Sequence, residues 1–219
     1  MTHVVHPYAH RLGIIRDWKS RWFGVKKEYQ KFLREDVLIR EYLTKRLRGA
    51  FVSLVEIERS NKKLRVIIKT ARPGILIGRQ GEGAVRLKDD IKKVLKKGGV
   101  SADGLAVDVE EVRFPEGNAA IVAHLIVEGL ERRMPFRRVL KQTAEKVMSS
   151  RGVKGVRIAI SGRLGGAEMS RKEQVKKGTL PLQTFRADID FARATAHLSY
   201  GTIGVKAWIY HGDIFNNAK

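Results

Sequence analysis

The sequence predicts an α+β protein of two consecutive domains, each with helices on one side of a small sheet. Three observations lead there. Stretches of apolar–polar alternation lie beside stretches with apolar residues every three or four positions, the periods of strand and helix. Both periods occur on either side of a cluster of turn residues, Pro115-Glu116-Gly117-Asn118, which marks the domain boundary. The 219 residues suffice for two modest cores, and 43% hydrophobic residues is ordinary globular usage.

Each element has its own signal. The first 25 residues, with Pro7, Gly13, Gly24 and scattered aromatics, read as an extended arm. From Lys26 to Leu47, Tyr29, Phe32 and Leu33, then Ile39, Tyr42, Leu43 and Leu47, recur at helical spacing. Asp36 is placed as an N-cap dividing two helices, and Gly49 as the stop. Val55 and Ile57 alternate with Glu56 and Glu58, then Leu64, Val66 and Ile68 with Arg65 and Lys69. The polar turn Ser60-Asn61-Lys62-Lys63 joins them as a hairpin. Ala84, Leu87, Ile91, Val94 and Leu95 mark the stripe of a helix that Gly98-Gly99 ends, and Leu105, Val107 and Val109 a third strand. Beyond the boundary, one helix runs from about Asn118 to Arg133. A second starts at Pro135, which suits a first helical turn, and ends near Arg151-Gly152. Three strands close the chain, on Val156, Ile158 and Ile160, on Phe185 to Phe191, and on Ile203 to Ile209. The domains are therefore 26–114 and 118–219, after an arm over 1–25.

Charge limits the partner. Lys and Arg number 44 against 23 Asp and Glu, a net +21. The excess is spread through residues 1–50, 51–114 and 115–219 alike, so the whole molecule is suited to a polyanion. There is no cysteine, which removes disulfides and thiolate zinc sites and suits a reducing cytosol. The mainly apolar stretch Ala119 to Leu130 contains His124 and Glu128 and is too short to span a bilayer. The N-terminus lacks the apolar core of a secretory signal. A soluble, cytoplasmic protein is expected.

Four groups of residues carry candidate chemistry. Gly78-Arg79-Gln80-Gly81 is a Gly-x-x-Gly loop between a strand pattern and a lysine-rich helix. KH-type RNA-binding modules use such a loop to clamp single-stranded backbone. Its glycines remove Cβ atoms and permit positive φ, while the following helix offers free N–H groups. From Arg132 to Lys146 there are six basic residues, including Arg133, and one acid, Glu145. On a helix starting at Pro135, Arg137, Arg138 and Lys141 share about one quadrant at ~3.6 residues per turn. Phe136, Leu140, Ala144, Val147 and Met148 take the opposite, core side. This basic face is read as RNA-facing, with nothing nearby to neutralise it. The loop from Gly162 to Lys177 joins glycines to Arg163, Arg171, Lys172, Lys176 and Lys177 as phosphate contacts. In the arm, Arg11, Arg16, Lys19 and Arg21 can follow RNA. Trp18 or Trp22 either stack on bases or pack on protein, and the sequence leaves both open.

Enzyme signals are weak. His3 and His6 lie in a Pro-containing arm without carboxylate neighbours, and Asp188 and Asp190, beside Arg186 and Arg193, read as ion-pair partners rather than metal ligands. There is no ATP-binding Gly-x-x-x-x-Gly-Lys-Ser/Thr loop, and Gly78 to Gly83 reverses the dinucleotide fingerprint. No metal, cofactor or catalytic residue is expected.

The strand-strand-GxxG-helix-strand order of residues 51–113 resembles a type II KH domain. Further strings resemble the bacterial small-subunit ribosomal protein three family over essentially the whole chain. They are His6-Pro7 with Arg11-Leu12-Gly13, Ala71-Arg72-Pro73-Gly74-Ile75, Ser161-Gly162-Arg163-Leu164-Gly165-Gly166-Ala167-Glu168, and Arg186-Ala187-Asp188-Ile189-Asp190. One departure is Gln80, where the family usually has a second basic residue. The resemblance implies an N-terminal type II KH domain with a three-stranded sheet, then an α+β domain of two helices on a mostly antiparallel sheet. It implies a non-enzymatic constituent of the 30S head that binds 16S ribosomal RNA, with Arg72 among the contacts. Neighbours would be small-subunit proteins ten and fourteen, with four and five near the tunnel through which messenger RNA enters. It also implies nucleotide-independent help in unwinding messenger RNA by Arg137, Arg138 and Lys141, beside Arg132 and Arg133. Two other readings are a lysine-dependent, nucleic-acid-cleaving lyase and a free KH-type RNA regulator.

Overall fold

The computed structural model describes residues 5–60, 63–98 and 104–215. Its elements, in chain order, are α1 (Pro7–His10), β1 (Ser20–Arg21), α2 (Lys27–Arg46), β2 (Val52–Ser60), β3 (Lys63–Thr70), α3 (Pro73–Ile77), α4 (Glu82–Lys97), β4 (Leu105–Glu111), α5 (Ala119–Glu131), α6 (Phe136–Ser149), β5 (Gly155–Gly162), β6 (Arg171–Gly178), β7 (Ala187–Leu198) and β8 (Gly201–Asp213). The chain forms two compact units. One is Trp18–Arg113, and the other joins the chain up to Asp17 with everything from Phe114 onward. Among the described residues, no helix is long and apolar enough to cross a membrane.

In the first unit the strands lie in the order β1-β2-β3-β4. β2 and β3 pair antiparallel, and β3 and β4 pair parallel across the α3–α4 crossover. The alternation that predicts the hairpin sorts its residues by face. Ile57, Leu64, Val66 and Ile68 are buried against Ile39 and Leu43 of α2 and Leu87, Ile91 and Leu95 of α4. Glu56, Arg21 and Lys69 meet as ion pairs, and Arg65 pairs with Asp108 of β4. The hairpin's Asn61 and Lys62, and Gly99 after α4, lie outside the described residues.

Two expectations are corrected in this unit. The region from Lys26 to Leu47 is one helix of 20 residues, not two. Asp36 caps nothing, because its buried carboxylate accepts hydrogen bonds from the Trp22 indole N–H at 2.8 Å and from Arg59 at 2.8 Å. Arg59 also pairs with Glu35, so two adjacent acids of α2 clamp one arginine of β2. The sheet has a fourth strand, because Ser20 and Arg21 of the expected arm add to β2 in parallel.

In the second unit the order is β6-β5-β8-β7, antiparallel throughout. Helices α5 and α6 cover one face. Val122, Ile126, Leu140 and Ala144 pack there on Ile158, Ile160, Val205 and Ile209. Asn118 caps α5, its side chain accepting from the N–H groups of Ala120 and Ile121. Strand β6 falls where the sequence reading places a loop. Its residues, Arg171 to Gly178, include one apolar side chain, Val175, so no hydrophobic period announces it. What makes it a strand is an eight-residue register with β5, from Gly155↔Gly178 to Gly162↔Arg171.

The extended arm is corrected too. Pro7–His10 is a helical turn in which the Tyr8 N–H donates to the His6 imidazole Nδ1 at 3.2 Å. His6 sits edge-on to Phe191, and His10 stacks on Phe185 at 4.1 Å between centroids. His3 lies outside the described residues.

Candidate nucleic-acid interface

The glycine loop forms because two helices meet at a corner. Pro73 starts α3, and Gly78 leaves it with φ +69. Arg79–Gly81 makes a single tight turn in which Gln80 (φ 53) and Gly81 (φ 83) are both left-handed, and α4 begins at Glu82. Gly83 fixes the corner: a Cβ there would stand 2.4 Å from the Leu76 carbonyl oxygen. Gly78, Arg79 and Gln80 are exposed, and among the described residues Arg79 has no carboxylate partner. Around the loop Ile75, Ile77 and Val85 are exposed apolar side chains, an edge on which bases can rest. The sequence reading missed them, although Val85 is an apolar position off the buried Leu87–Ile91–Leu95 stripe of α4 and Ile75 and Ile77 flank the buried Leu76 of α3. Arg72 stands at the start of α3, makes no side-chain capping bond, is exposed, and holds its guanidinium 4.4 Å from the Phe51 ring centroid.

The basic face of α6 is built as expected, with one addition. Leu140, Ala144 and Val147 are buried, Phe136 and Met148 pack beside them, and Arg137, Arg138 and Lys141 are exposed. The helix is therefore fixed in the core on one side while its cations face outward. The addition is Glu173 of β6. It pairs with Arg137 at 3.3 Å and Arg171 at 3.5 Å, and both guanidinium groups lie over the Phe136 ring. The face is thus not free of acids, a correction that follows from β6 being a strand against α6. At the α5–α6 turn, Arg132 pairs with Glu128, and Arg133 holds a left-handed φ of 59. Among the described residues, Arg133, Arg138 and Lys141 have no carboxylate partner.

The remaining candidates divide sharply. Arg11 is a correction. It is 0% exposed, and its guanidinium donates to the carbonyls of Ala187 (2.6 Å), Pro7 (3.0 Å), Leu182 (2.9 Å) and Thr184 (2.8 Å). Burial lowers its pKa, opposed by the nearby Asp188 carboxylate. Four of its five N–H donors are taken, and a group with no exposed surface is out of reach of RNA. Arg16 pairs with Asp188 at 2.5 Å, and Asp190 accepts from the Ala119 N–H at 2.7 Å. Those two acids therefore bind Arg16 and the start of α5, not Arg186 and Arg193. Lys19 is exposed, and its carbonyl accepts from Ile57 N–H. Trp22 packs against Tyr29 and Phe32, while Trp18 is exposed. Arg163 is exposed but holds its own loop closed through the Ala167 and Tyr200 carbonyls. On β6, Lys177 pairs with Glu145 at 2.9 Å, whereas Lys172 and Lys176 are exposed without carboxylate partners among the described residues.

The comparisons with known proteins agree with this geometry. Residues 38–117 match the family model described as KH domain, and residues 126–209 that of ribosomal protein S3, C-terminal domain. The chain is 47% identical over 214 residues to small ribosomal subunit protein uS3 of Caldicellulosiruptor saccharolyticus, covering 98% of this chain and 94% of that one. It is 45% identical to the uS3 of Coxiella burnetii, covering 98% of this chain and 91% of that one. With the uS3 of Syntrophomonas wolfei it shares 45% over all 219 residues, 93% of that protein. The chain belongs to the uS3 family.

Within the uS3 frame, the Gly78–Gly81 loop falls inside the KH match, and Arg132 to Lys177 fall inside the second match. The α+β architecture expected from the sequence, an N-terminal KH domain and a C-terminal domain of helices on an antiparallel sheet, is the one observed. Arg11, Arg16 and Lys19 lie outside both matched ranges but inside the full-length alignments.

Proposed function

We propose that the chain is a structural, RNA-binding constituent of the small ribosomal subunit. Its dispersed cations hold 16S ribosomal RNA in the 30S head. Small-subunit proteins ten and fourteen are its neighbours there, with four and five near the tunnel through which messenger RNA enters. At that tunnel the α6 face touches messenger phosphates. Arg138 and Lys141 carry this reading: they are exposed, without carboxylate partners among the described residues, and mounted on a helix pinned into the core by Leu140 and Ala144. Cations mounted that way meet phosphates with little loss of backbone freedom. Phosphate contacts ignore base identity, as a surface over which every message passes requires.

The mechanism needs no bound nucleotide. Fixed positive charges favour separated strands near the pore and hinder their re-pairing, while movement of the messenger supplies the work. Arg133 extends the face, and Arg137 joins it when phosphate competes with Glu173 for the guanidinium. The glycine loop acts separately, its bare backbone and Arg79 clamping a single-stranded segment against Ile75, Ile77 and Val85. A photoreactive side chain in place of Arg138, in reconstituted subunits carrying a defined message, tests the placement. Cross-links to messenger downstream of the decoding site are expected. Cross-links to ribosomal RNA alone would overturn it.

A further inference from the structure

The second unit has another sheet face, turned away from α5 and α6, and its charge is not explained by the α6 reading. The register identifies its residues. Arg157, Ala159 and Ser161 of β5 stand opposite Lys176, Gln174 and Lys172 of β6. On β8 and β7, Lys206 stands opposite Arg193, and Gly204 opposite Thr195. These positions alternate with the core residues Ile158, Val175, Val205 and Ala194, so they point to the other side. The patch holds five cations and, among the described residues of these strand positions, no carboxylate.

Two of its cross-strand pairs are like-charged and directly opposed, Arg157↔Lys176 and Arg193↔Lys206. Such pairs destabilise a sheet. Lysine on an edge strand deters strand addition, which would account for Lys176 on β6. It does not account for Arg157 and Lys206, which lie on the interior strands β5 and β8. Nor does the patch resemble a protein-docking surface, whose centre is apolar. The apolar side chains of this sheet face, Ile189, Phe191, Trp208 and Tyr210, form a separate cluster closed by Leu180 and Leu182, and Trp208, at the border with the cations, is 6% exposed and covered by the Arg157 guanidinium at 4.8 Å. Ser161, Thr195 and Gly204 leave low ground between the cations, so a polyanion can lie close.

We propose that this face is a second RNA-binding surface of the unit, taking the sugar–phosphate backbone of duplex ribosomal RNA on the side of the sheet opposite α6. The proposal rests on the small-subunit reading above and adds a site to it. Bound phosphates would relieve the two opposed cation pairs. Contact by lysine and arginine to backbone alone makes the binding indifferent to sequence and steeply dependent on salt.

The test uses the full chain with Lys176→Gln, Arg193→Gln and Lys206→Gln, three side chains without hydrogen-bond or ion-pair partners among the described residues. The probe is a blunt RNA duplex of arbitrary sequence. The slope of log affinity against log salt is expected to become shallower by about 2 to 3. The melting temperature of the free variant is expected to hold or rise by about 2 °C as like-charge repulsion is removed. A control of equal charge change, Lys27→Gln, Lys31→Gln and Arg34→Gln on α2, is expected to alter the slope much less. An unchanged slope in the sheet variant, or equal loss in both variants, overturns the proposal. A sheet variant that melts several degrees lower overturns it as well, because the residues would then be structural. Failure of the wild-type chain to enter small subunits would strike the parent reading instead, and is seen separately by sedimentation.

Discussion

Arg11 has a guanidinium enclosed by four carbonyl oxygens, and that environment assigns it to stability. Arg11→Ala would leave the Ala187, Leu182 and Thr184 carbonyls short of their donors. Urea unfolding should show a loss of about 3 kcal/mol, and Arg11→Lys should not restore it, because an ammonium lacks the planar fork. A glycine contrast is as direct. Gly83→Ala drives a Cβ into the Leu76 carbonyl and should cost about 3 kcal/mol, whereas Gly81→Ala meets open space and costs about 1 to 2 kcal/mol for its left-handed φ. Equal losses would mean that the α3–α4 corner is looser than its geometry. The sequence makes Gly78 to Gly81 legible as a loop, but not the division of labour among its glycines, which depends on what a missing Cβ would touch. For the same reason it could not separate a buried Arg11 from an exposed Arg138, since both are arginines beside apolar residues.

At the scale of elements, periodicity made α4, α5, α6 and the β2–β3 hairpin legible, because each buries a regular stripe. Strand β6 was not legible. It is an edge strand with a single apolar residue, and its pairing with β5 decides its conformation. Missing β6 also hid Glu173, the acid that tempers the α6 face. Glu173→Gln should therefore free both Arg137 and Arg171. Affinity of the full chain for single-stranded RNA is expected to rise severalfold at low salt, with a steeper salt slope. No change would mean that the two arginines do not reach RNA. The glycine loop gives the opposite experiment. Arg79→Asp with Gln80→Asp places two carboxylates where phosphate should lie, at exposed positions, so melting should be unaffected while single-stranded RNA binding drops. Retained binding would remove the clamp from the account.

For the whole molecule, composition is the most direct guide, since a dispersed +21 favours a large polyanion. The structure refines what that excess does. Part of it stabilises the fold, through Arg11, Arg16 and Arg59. Part stays exposed without carboxylate partners among the described residues, on α6 at Arg138 and Lys141 and around the loop at Arg79. The family match carries the ribosomal identity, and the distribution of partnered and unpartnered cations carries the proposal about messenger RNA. The most direct test of that proposal is translation through a stable hairpin by ribosomes bearing Arg137→Ala, Arg138→Ala and Lys141→Ala. Normal subunit assembly, an unaltered rate on an unstructured message, and slower passage through the hairpin are expected. Equal rates for variant and wild type on both messages, or equal slowing on both, would contradict it.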